Sequence, residues 1–539
     1  MKKQLLNALF CLSLGVANQA AAQVTLVEPA GTQSQDINRV STVGTKLYFM
    51  GREQGGSATD VYLWSNDGIN STKIKLMSSL TSGINASYFF PLNGKALFFY
   101  SDGASASGYE PWITDGTAAG TMMIKDINPG SGNSVFSNGL HAAFIYNNKA
   151  YFTAYDGVSG DELWVTDGTS AGTMMVKDIN VGSNGSSINT SNIVIYKGEM
   201  YFAAKSNTWM ELWHSDGTPG GTLKVNNPPG LMNYETALIP LDTSLYFGGM
   251  ISSSNNTYGL FKTNGTTLGT TALTGSLPAT PLAAFTSIVS NGTDVFFGFQ
   301  YTQSFAYQYR LYKTSGGTSY SMVKDSLYCR YTSALGNKIF FSGQVTGSTT
   351  SQPWITDGTT PGTYTLNAVS WNPGGLYRNV SPVYNNKIYF GAGNQLWQTD
   401  GTVLGTVTTA TMGSAGIWDF SIMGSDLYFN GGNPANGNRQ ELFKIGGTAG
   451  ISEQNGFAAG IVIYPQPATE TVSFNFNSDV KEVEISLFDI AGKELKKEVL
   501  EVYYNKTQVN VNDLSEGMYL VRLTSSDGRT ATGRIVIAK

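Results

Sequence analysis

The residues of this chain that could do chemistry are few and far apart. Two histidines, His141 and His214, stand in different stretches, and there is no His-x-x-x-His, cysteine cluster, Gly-x-Ser-x-Gly or phosphate-binding loop. Cys329 is the one thiol outside the leader; no histidine or aspartate constellation accompanies it, and it reads as buried and inert. Asp156, Asp161 and Glu162 are the densest acidic group. Paired carboxylates brought together by folding would suit glycoside hydrolysis or a lyase reaction, and the sequence leaves that open. An Asp-Gly-Thr element recurs along the chain, but one carboxylate per turn, without alternating Asp/Asn and a closing Glu, is too little for calcium. It suits a turn in which Asp accepts backbone N–H bonds and Gly takes a positive φ. No catalytic residue, metal or cofactor is therefore assigned.

The elements that must hold these residues are copies of one unit. Its fullest form reads Glu162-Leu-Trp-Val-Thr-Asp-Gly-Thr169, followed by Met174-Met-Val-Lys-Asp-Ile179. Close copies begin at Glu110, Glu211, Gln352 and Gln395, and weaker ones surround Trp64, Phe261, Tyr312 and Phe443. From Trp64 to Phe443 the period averages about 47 residues, a length typical of blades or solenoid units. Each copy carries an upstream Tyr-Phe run such as Lys149-Ala-Tyr-Phe152, and before it a turn pair such as Asn147-Asn148, which tolerates the positive φ of tight hairpins. Four antiparallel strands per copy predict an all-β fold, a β-propeller of about 8 to 9 four-stranded blades. Val24 to Gly31 resembles a fourth strand with nothing before it, and the last copy stops after its third strand near Gly447; the two are expected to complete one blade and remove exposed edges. Nine blades would exceed the usual range, so either the ring is large or a unit near Phe261 or Tyr312 is not a blade. The once-per-copy tryptophans are expected to fill the space between blades.

Charged residues make up 13% of the 539, aromatics 12%, and glycine numbers 63, which suits short strands and tight turns. Lys2 and Lys3, the apolar run Leu5 to Val16, and Ala20-Ala21-Ala22 have the layout of a secretory signal over residues 1–22, too short for a membrane span. Without Lys2 and Lys3 the formal charge of −5 becomes −7; an acidic chain lacking basic clusters argues against nucleic acid and anionic membranes as partners. No transmembrane segment is expected.

The eight-residue pattern at Glu162 to Thr169 and Glu211 to Thr218 resembles the bacterial repeat family named after Glu-Leu-Trp-x-x-Asp-Gly-Thr, over residues 23–448. That resemblance implies an exported, surface-associated propeller and no agreed activity. After a linker at 449–460, residues 461–539 alternate as period-2 strands and read as a small Ig-like β-sandwich. Tyr464-Pro465-Gln466-Pro467, Phe488-Asp489 with Gly492-Lys493, Leu514 with Gly517 and Tyr519, and Lys539 make this segment similar to the type A C-terminal sorting domain of the type IX secretion system, with Gln466 where the family usually has Asn. The resemblance implies recognition by the secretion machinery at a Gram-negative outer membrane through Pro465, Pro467, Gly492, Gly517, Tyr519 and Lys539, and a secreted or cell-surface destination by way of the periplasm.

Function is expected where the copies disagree. Loops between second and third strands and between blades form the expected recognition face, with Trp209, Tyr301, Tyr307, Trp371 and Tyr377 as candidates to stack on sugar rings. The first reading is a non-catalytic module binding glycan or protein. The alternative is an exported glycan-degrading enzyme using carboxylates at the channel.

Overall fold

A computed structural model of the chain describes residues 24–27, 34–79, 86–101, 108–135, 143–207, 209–225, 237–252, 257–280, 283–304, 306–367, 369–371, 381–446, 462–464, 468–476, 481–489, 493–502, 506–526 and 530–538. The leader, the linker and Tyr377 fall outside these residues. Among them the chain forms strands and two three-residue 3-10 turns, Thr190–Asn192 and Pro434–Asn436, with no α-helix. Nothing described is a helix long and apolar enough to cross a membrane.

Residues 24–445 contain nine antiparallel four-stranded sheets, numbered 1 to 9 here in chain order. Eight use four consecutive strands; sheet 7, for example, runs Leu327–Leu335, Lys338–Val345, Gln352–Thr356 and Tyr364–Thr365. The copies around Phe261 and Tyr312, weak in sequence, are complete sheets 5 and 6. Sheet 9 has three late strands, Ile417–Met423, Asp426–Asn433 and Arg439–Ile445, and its fourth is Val24–Leu26, with Val24 opposite Ile445 and Leu26 opposite Phe443. The early orphan strand and the late vacancy thus fill each other, as expected.

One register recurs in all nine sheets. The Phe of each second strand lies directly opposite the aromatic of the third, from Phe49 and Trp64 in sheet 1 to Phe429 and Phe443 in sheet 9. The rings of Phe49 and Trp64 stack 6.5 Å apart at 3°, and those of Phe297 and Tyr312 5.1 Å apart at 9°. Because side chains alternate faces, a one-residue slip would expel both rings from the core, so the pair fixes the register. Hairpin asparagines supply the left-handed residues the turns need, Asn147 at φ 48° and Asn148 at 58° among them.

The Asp-Gly-Thr element is a closed hydrogen-bonded turn. In sheet 3, Asp167 Oδ1 accepts from Thr169 N at 2.8 Å and Thr169 Oγ1 at 2.7 Å; Thr169 Oγ1 accepts from Gly172 N at 3.0 Å. Thr173 Oγ1 donates to Thr169 O at 2.7 Å and pairs with Thr166 Oγ1 at 2.7 Å. These bonds hold the Asp167 carboxyl below its ordinary range, led by the Thr169 hydroxyl. A side chain on Gly172 would put Cβ 2.2 Å from Asp167 Oδ1, so the second glycine of the element is as necessary as the first. In sheet 5, Asn264 Oδ1 takes the same bonds from Thr266 N at 3.0 Å and Thr266 Oγ1 at 2.8 Å. The turn needs an acceptor oxygen, not a charge.

Most of these turns also receive a side chain of the preceding sheet. Tyr151 of sheet 3 sits over Gly217 of sheet 4, where an added Cβ would meet Oη at 2.1 Å, and Tyr201 of sheet 4 sits likewise over Gly265 of sheet 5. A lysine from the last strand or its end reaches forward: Lys75, Lys125 and Lys177 donate to Thr121 O, Thr173 O and Thr222 O of the next sheet at 2.6 to 2.8 Å. Their ammonium groups lie 5.8, 5.8 and 6.0 Å from the rings of Trp112, Trp164 and Trp213. Tryptophans fill the inter-sheet space as expected, Trp164 packing with Phe99 and Ile113 of sheet 2. Sheet 9 packs on sheet 1 in the same manner: Tyr428, Met423 and Leu442 share a cluster with Ile37, Val40 and Trp64.

The C-terminal segment has its own core, with Val472, Phe474, Ile485, Val521 and Ile535 buried together. A three-stranded sheet, Val462–Tyr464, Thr471–Asn475 and Lys506–Asn510, accompanies a four-stranded one built from Glu482–Phe488, Glu494–Glu501, Gly517–Ser525 and Thr530–Ile537.

The turn chemistry sets a test. Asp167→Asn should leave the urea unfolding free energy within about 0.5 kcal/mol of the parent, whereas Gly172→Ala should lower it by about 1–3 kcal/mol through the forced displacement of Asp167.

Candidate functional site

The first strands of sheets 1, 7 and 9 each carry a register break, and each break holds a non-glycine residue at positive φ: Arg39 at 63°, Tyr331 at 51° and Asp419 at 52°. Each lies four residues before the end of its strand. Bulges re-aim side chains and gather at functional sites, and a bulky residue in this region stores strain. At two of the three the strain closes a structural network. Asp419 is buried and accepts from Arg39 N at 2.7 Å, Tyr88 Oη at 2.5 Å and Asn430 Nδ2 at 3.1 Å, joining sheets 9, 1 and 2.

The third opens to a cavity. Tyr331 follows Arg330, and the Arg330 guanidinium carbon lies 5.2 Å from the Tyr331 ring centre and 5.6 Å from that of Tyr328. These residues, with Ser342, Gln344 and Ser351, line a cavity of about 240 Å³. Strand alternation produces the arrangement: Cys329 points into the core at 1% exposure, so its neighbours Tyr328 and Arg330 point the other way. Burial of Cys329 pushes its thiol well up, to about 12, in keeping with an inert role. Among the described residues Arg330 makes no ion pair, unlike Arg310, whose Nε is 2.9 Å from Asp325 Oδ1. The site presents one unneutralised cation, two phenol rings, hydroxyls and an amide, and no carboxylate.

The long hairpin of sheet 6, Val295–Gln303 and Ala306–Thr314, extends the aromatic surface. Tyr309 lies 4.5 Å from Tyr328, centre to centre. Burial raises its phenol above the ordinary value, reinforced by Tyr307 and opposed by Arg330. Tyr307, on the same face of that hairpin, is 49% exposed.

The sequence candidates separate accordingly. Tyr307 joins the aromatic surface. Trp209 is exposed, on the loop between second and third strands of sheet 4, and no described contact links it to the cavity. Tyr301 is buried under Arg310, whose guanidinium carbon is 4.9 Å from its ring, so its face is already covered. Trp371 is 1% exposed, packed against Phe340 at 4.9 Å and Phe390 at 5.0 Å, and has no free face for a ligand. Tyr328, Arg330 and Tyr331 were missed; they lie on the added length of a first strand that runs nine residues, Leu327–Leu335, where that of sheet 3 runs three, Phe144–Tyr146.

In the C-terminal segment Tyr519 is buried and its Oη donates to Ser515 O at 2.7 Å, bracing the turn that leads through Gly517. Pro465, Pro467, Gly492 and Lys539 lie outside the described residues. Residues 462–538 match the secretion system C-terminal sorting domain. That domain implies interaction with the type IX secretion machinery and a secreted or cell-surface protein. No curated protein matches the chain. Among solved structures it is similar to the tricorn protease (13% identity, TM-score 0.26, covering 92% of this chain and 55% of that one) and to TolB from Acinetobacter baumannii (11%, 0.27, 60% and 76%). It is also similar to an oligogalacturonate lyase in complex with manganese (8%, 0.34, 65% and 95%). The chain spans little more than half of the tricorn protease.

The acidic group noted in the sequence is divided among separate tasks. Asp156 Oδ1 accepts from Val158 N at 2.9 Å and Ser159 N at 2.7 Å, closing its own loop. Glu162 is fully buried and accepts from Ile179 N at 2.9 Å and Asn180 N at 3.2 Å, clasping the chain after the fourth strand. Glu110 does the same in sheet 2 with Ile127 N at 2.9 Å and Ser134 N at 3.0 Å. Burial outweighs these bonds and pushes both carboxyls up to about 7, and Asp161 to about 6. Among the described residues no three acidic, histidine or cysteine side chains gather where a metal ion could be held. A carboxyl raised in the folded state favours folding most fully below its unfolded value and loses that contribution as pH rises through the folded one. The urea midpoint should therefore fall between pH 5 and pH 8, and the double variant Glu110→Gln, Glu162→Gln should show a smaller fall across the same interval.

Proposed function

We propose that the chain is a type IX secretion cargo whose nine sheets close into a nine-bladed β-propeller of the Glu-Leu-Trp-x-x-Asp-Gly-Thr repeat family, and that it is a non-catalytic saccharide-binding module. Closure is supported by the Val24–Leu26 strand in sheet 9 and by the packing of sheet 9 on sheet 1. Residues 1–22 are then a cleaved signal, residues 449–460 a linker, and the C-terminal domain the address recognised at the outer membrane.

The cavity on sheet 7 carries the binding reading. Its named lining is phenolic, hydroxylic and amidic, without an aliphatic side chain, which matches a ligand that is itself a ring bearing many hydroxyls. It opens where the loop between second and third strands passes, the side on which Trp209 and Tyr307 are also exposed. A rigid scaffold with divergent loops is suited to recognition.

A panel of oligosaccharides and host proteins, offered to the purified chain with product analysis of every hit, tests the function. Saccharide binding without turnover is expected; turnover of a bound saccharide would establish the degradative alternative instead. For export, a chain ending at Gly460 should fold and remain in the periplasm, and its arrival at the cell surface would refute the role given to the C-terminal domain.

A further inference from the structure

We infer that the sheet 7 site is specific for acidic saccharides, with a carboxylate or sulfate of the ligand seated on Arg330. This rests on the saccharide-binding reading and adds the charge of the ligand to it. Arg330 is exposed at the cavity, held beside two phenol rings, and makes no ion pair among the described residues. Among the described residues the other arginines of the repeat region are engaged: Arg39 with Ala86 O at 3.0 Å, Arg52 and Arg439 with Asp36 at 3.4 and 2.8 Å, and Arg310 with Asp325 at 2.9 Å. A guanidinium presents a planar fork that matches two oxygens of a carboxylate or sulfate, and stacking on aromatic faces leaves that fork free to donate.

The positioning is built into the backbone. The break after Arg330 puts Tyr331 at φ 51°, the arrangement that places successive residues Arg330 and Tyr331 at one cavity instead of on opposite faces of the strand. Ser342 lies directly opposite Arg330 and Gln344 opposite Tyr328 in the register, so hydroxyl and amide groups flank the cation. A sugar ring set against the phenols would bring its acidic substituent to Arg330 and its hydroxyls to Ser342, Gln344 and Ser351. An acidic peptide would satisfy the cation but would gain little from a lining so poor in aliphatic surface.

Titration calorimetry on the purified full chain separates the possibilities, using an oligouronate, a sulfated oligosaccharide without carboxylates, a neutral oligosaccharide of equal length and an acidic peptide. Binding of the uronate or the sulfated sugar is expected, and which of the two binds identifies the anion. Arg330→Gln should weaken it about tenfold or more, and Arg330→Lys should lie between, keeping charge without the fork. Raising salt from about 50 to about 500 mM should weaken the parent more than Arg330→Gln. Both variants should keep the parent's near-ultraviolet circular dichroism, since Arg330 is exposed. Equal binding of the neutral sugar, unchanged in Arg330→Gln, would overturn the charge specificity while leaving saccharide binding intact. Failure of all three sugars, with or without binding of the peptide, would overturn both.

Discussion

Packing between sheets depends on one steric condition: the turns of most repeats must be bare enough to receive a side chain of the preceding sheet. Gly217 accepts Tyr151 and Gly265 accepts Tyr201, and in both places a methyl group would overlap the phenol oxygen. The same glycines adopt φ 92° at both positions, so backbone geometry and close approach select the same residue. Packing between sheets and folding of the turn are therefore one event. An interface that tight leaves little freedom for a side chain to evolve another task.

This condition explains why the most regular residues are the least informative about function. The aromatic pair sets register, the Asp and Thr close the turn, and the buried Glu clasps the strand exit. Chemistry is displaced to the first strands, where only burial on one face is demanded. Even there most copies are structural. At the equivalent bulge, Arg39 and Asp419 satisfy each other and Tyr88 across three sheets, whereas Tyr331 and Arg330 face a cavity. The same backbone irregularity is a clasp where its side chains find partners and a site where they do not.

Architecture was legible from the sequence because it is written many times over. The fourfold strand count, the Asn hairpins, the inter-blade tryptophans and the partnership of Val24–Leu26 with the last copy all repeat or balance. The second glycine of the turn was not read as necessary, because its cause is a contact with Asp167 that no local propensity encodes. The forward-reaching lysines were missed since their partners lie in the next copy. Site residues fared worse. Trp371 looked free because it breaks the repeat, yet an off-repeat aromatic can fill the core as readily as a repeated one, and it does so between Phe340 and Phe390. Tyr301 failed similarly, since its cross-strand neighbourhood brings Arg310 over its ring. Tyr307 is exposed as expected, because its long hairpin carries residues beyond the packed zone.

The electrostatics of the site run against those of the molecule, and this bears on how an acidic ligand would be recognised. A chain of net charge −7 without its leader repels anions at long range, so Arg330 is not part of a steering field. At physiological salt such repulsion fades beyond about 8 Å, whereas a guanidinium held beside Tyr328 and Tyr331 acts within the first few ångströms. Selection would consequently occur after encounter, by release rate more than by capture rate. A guanidinium without an ion pair among the described residues would discriminate by geometry, and a rigid bulged strand supplies that geometry better than a mobile loop would.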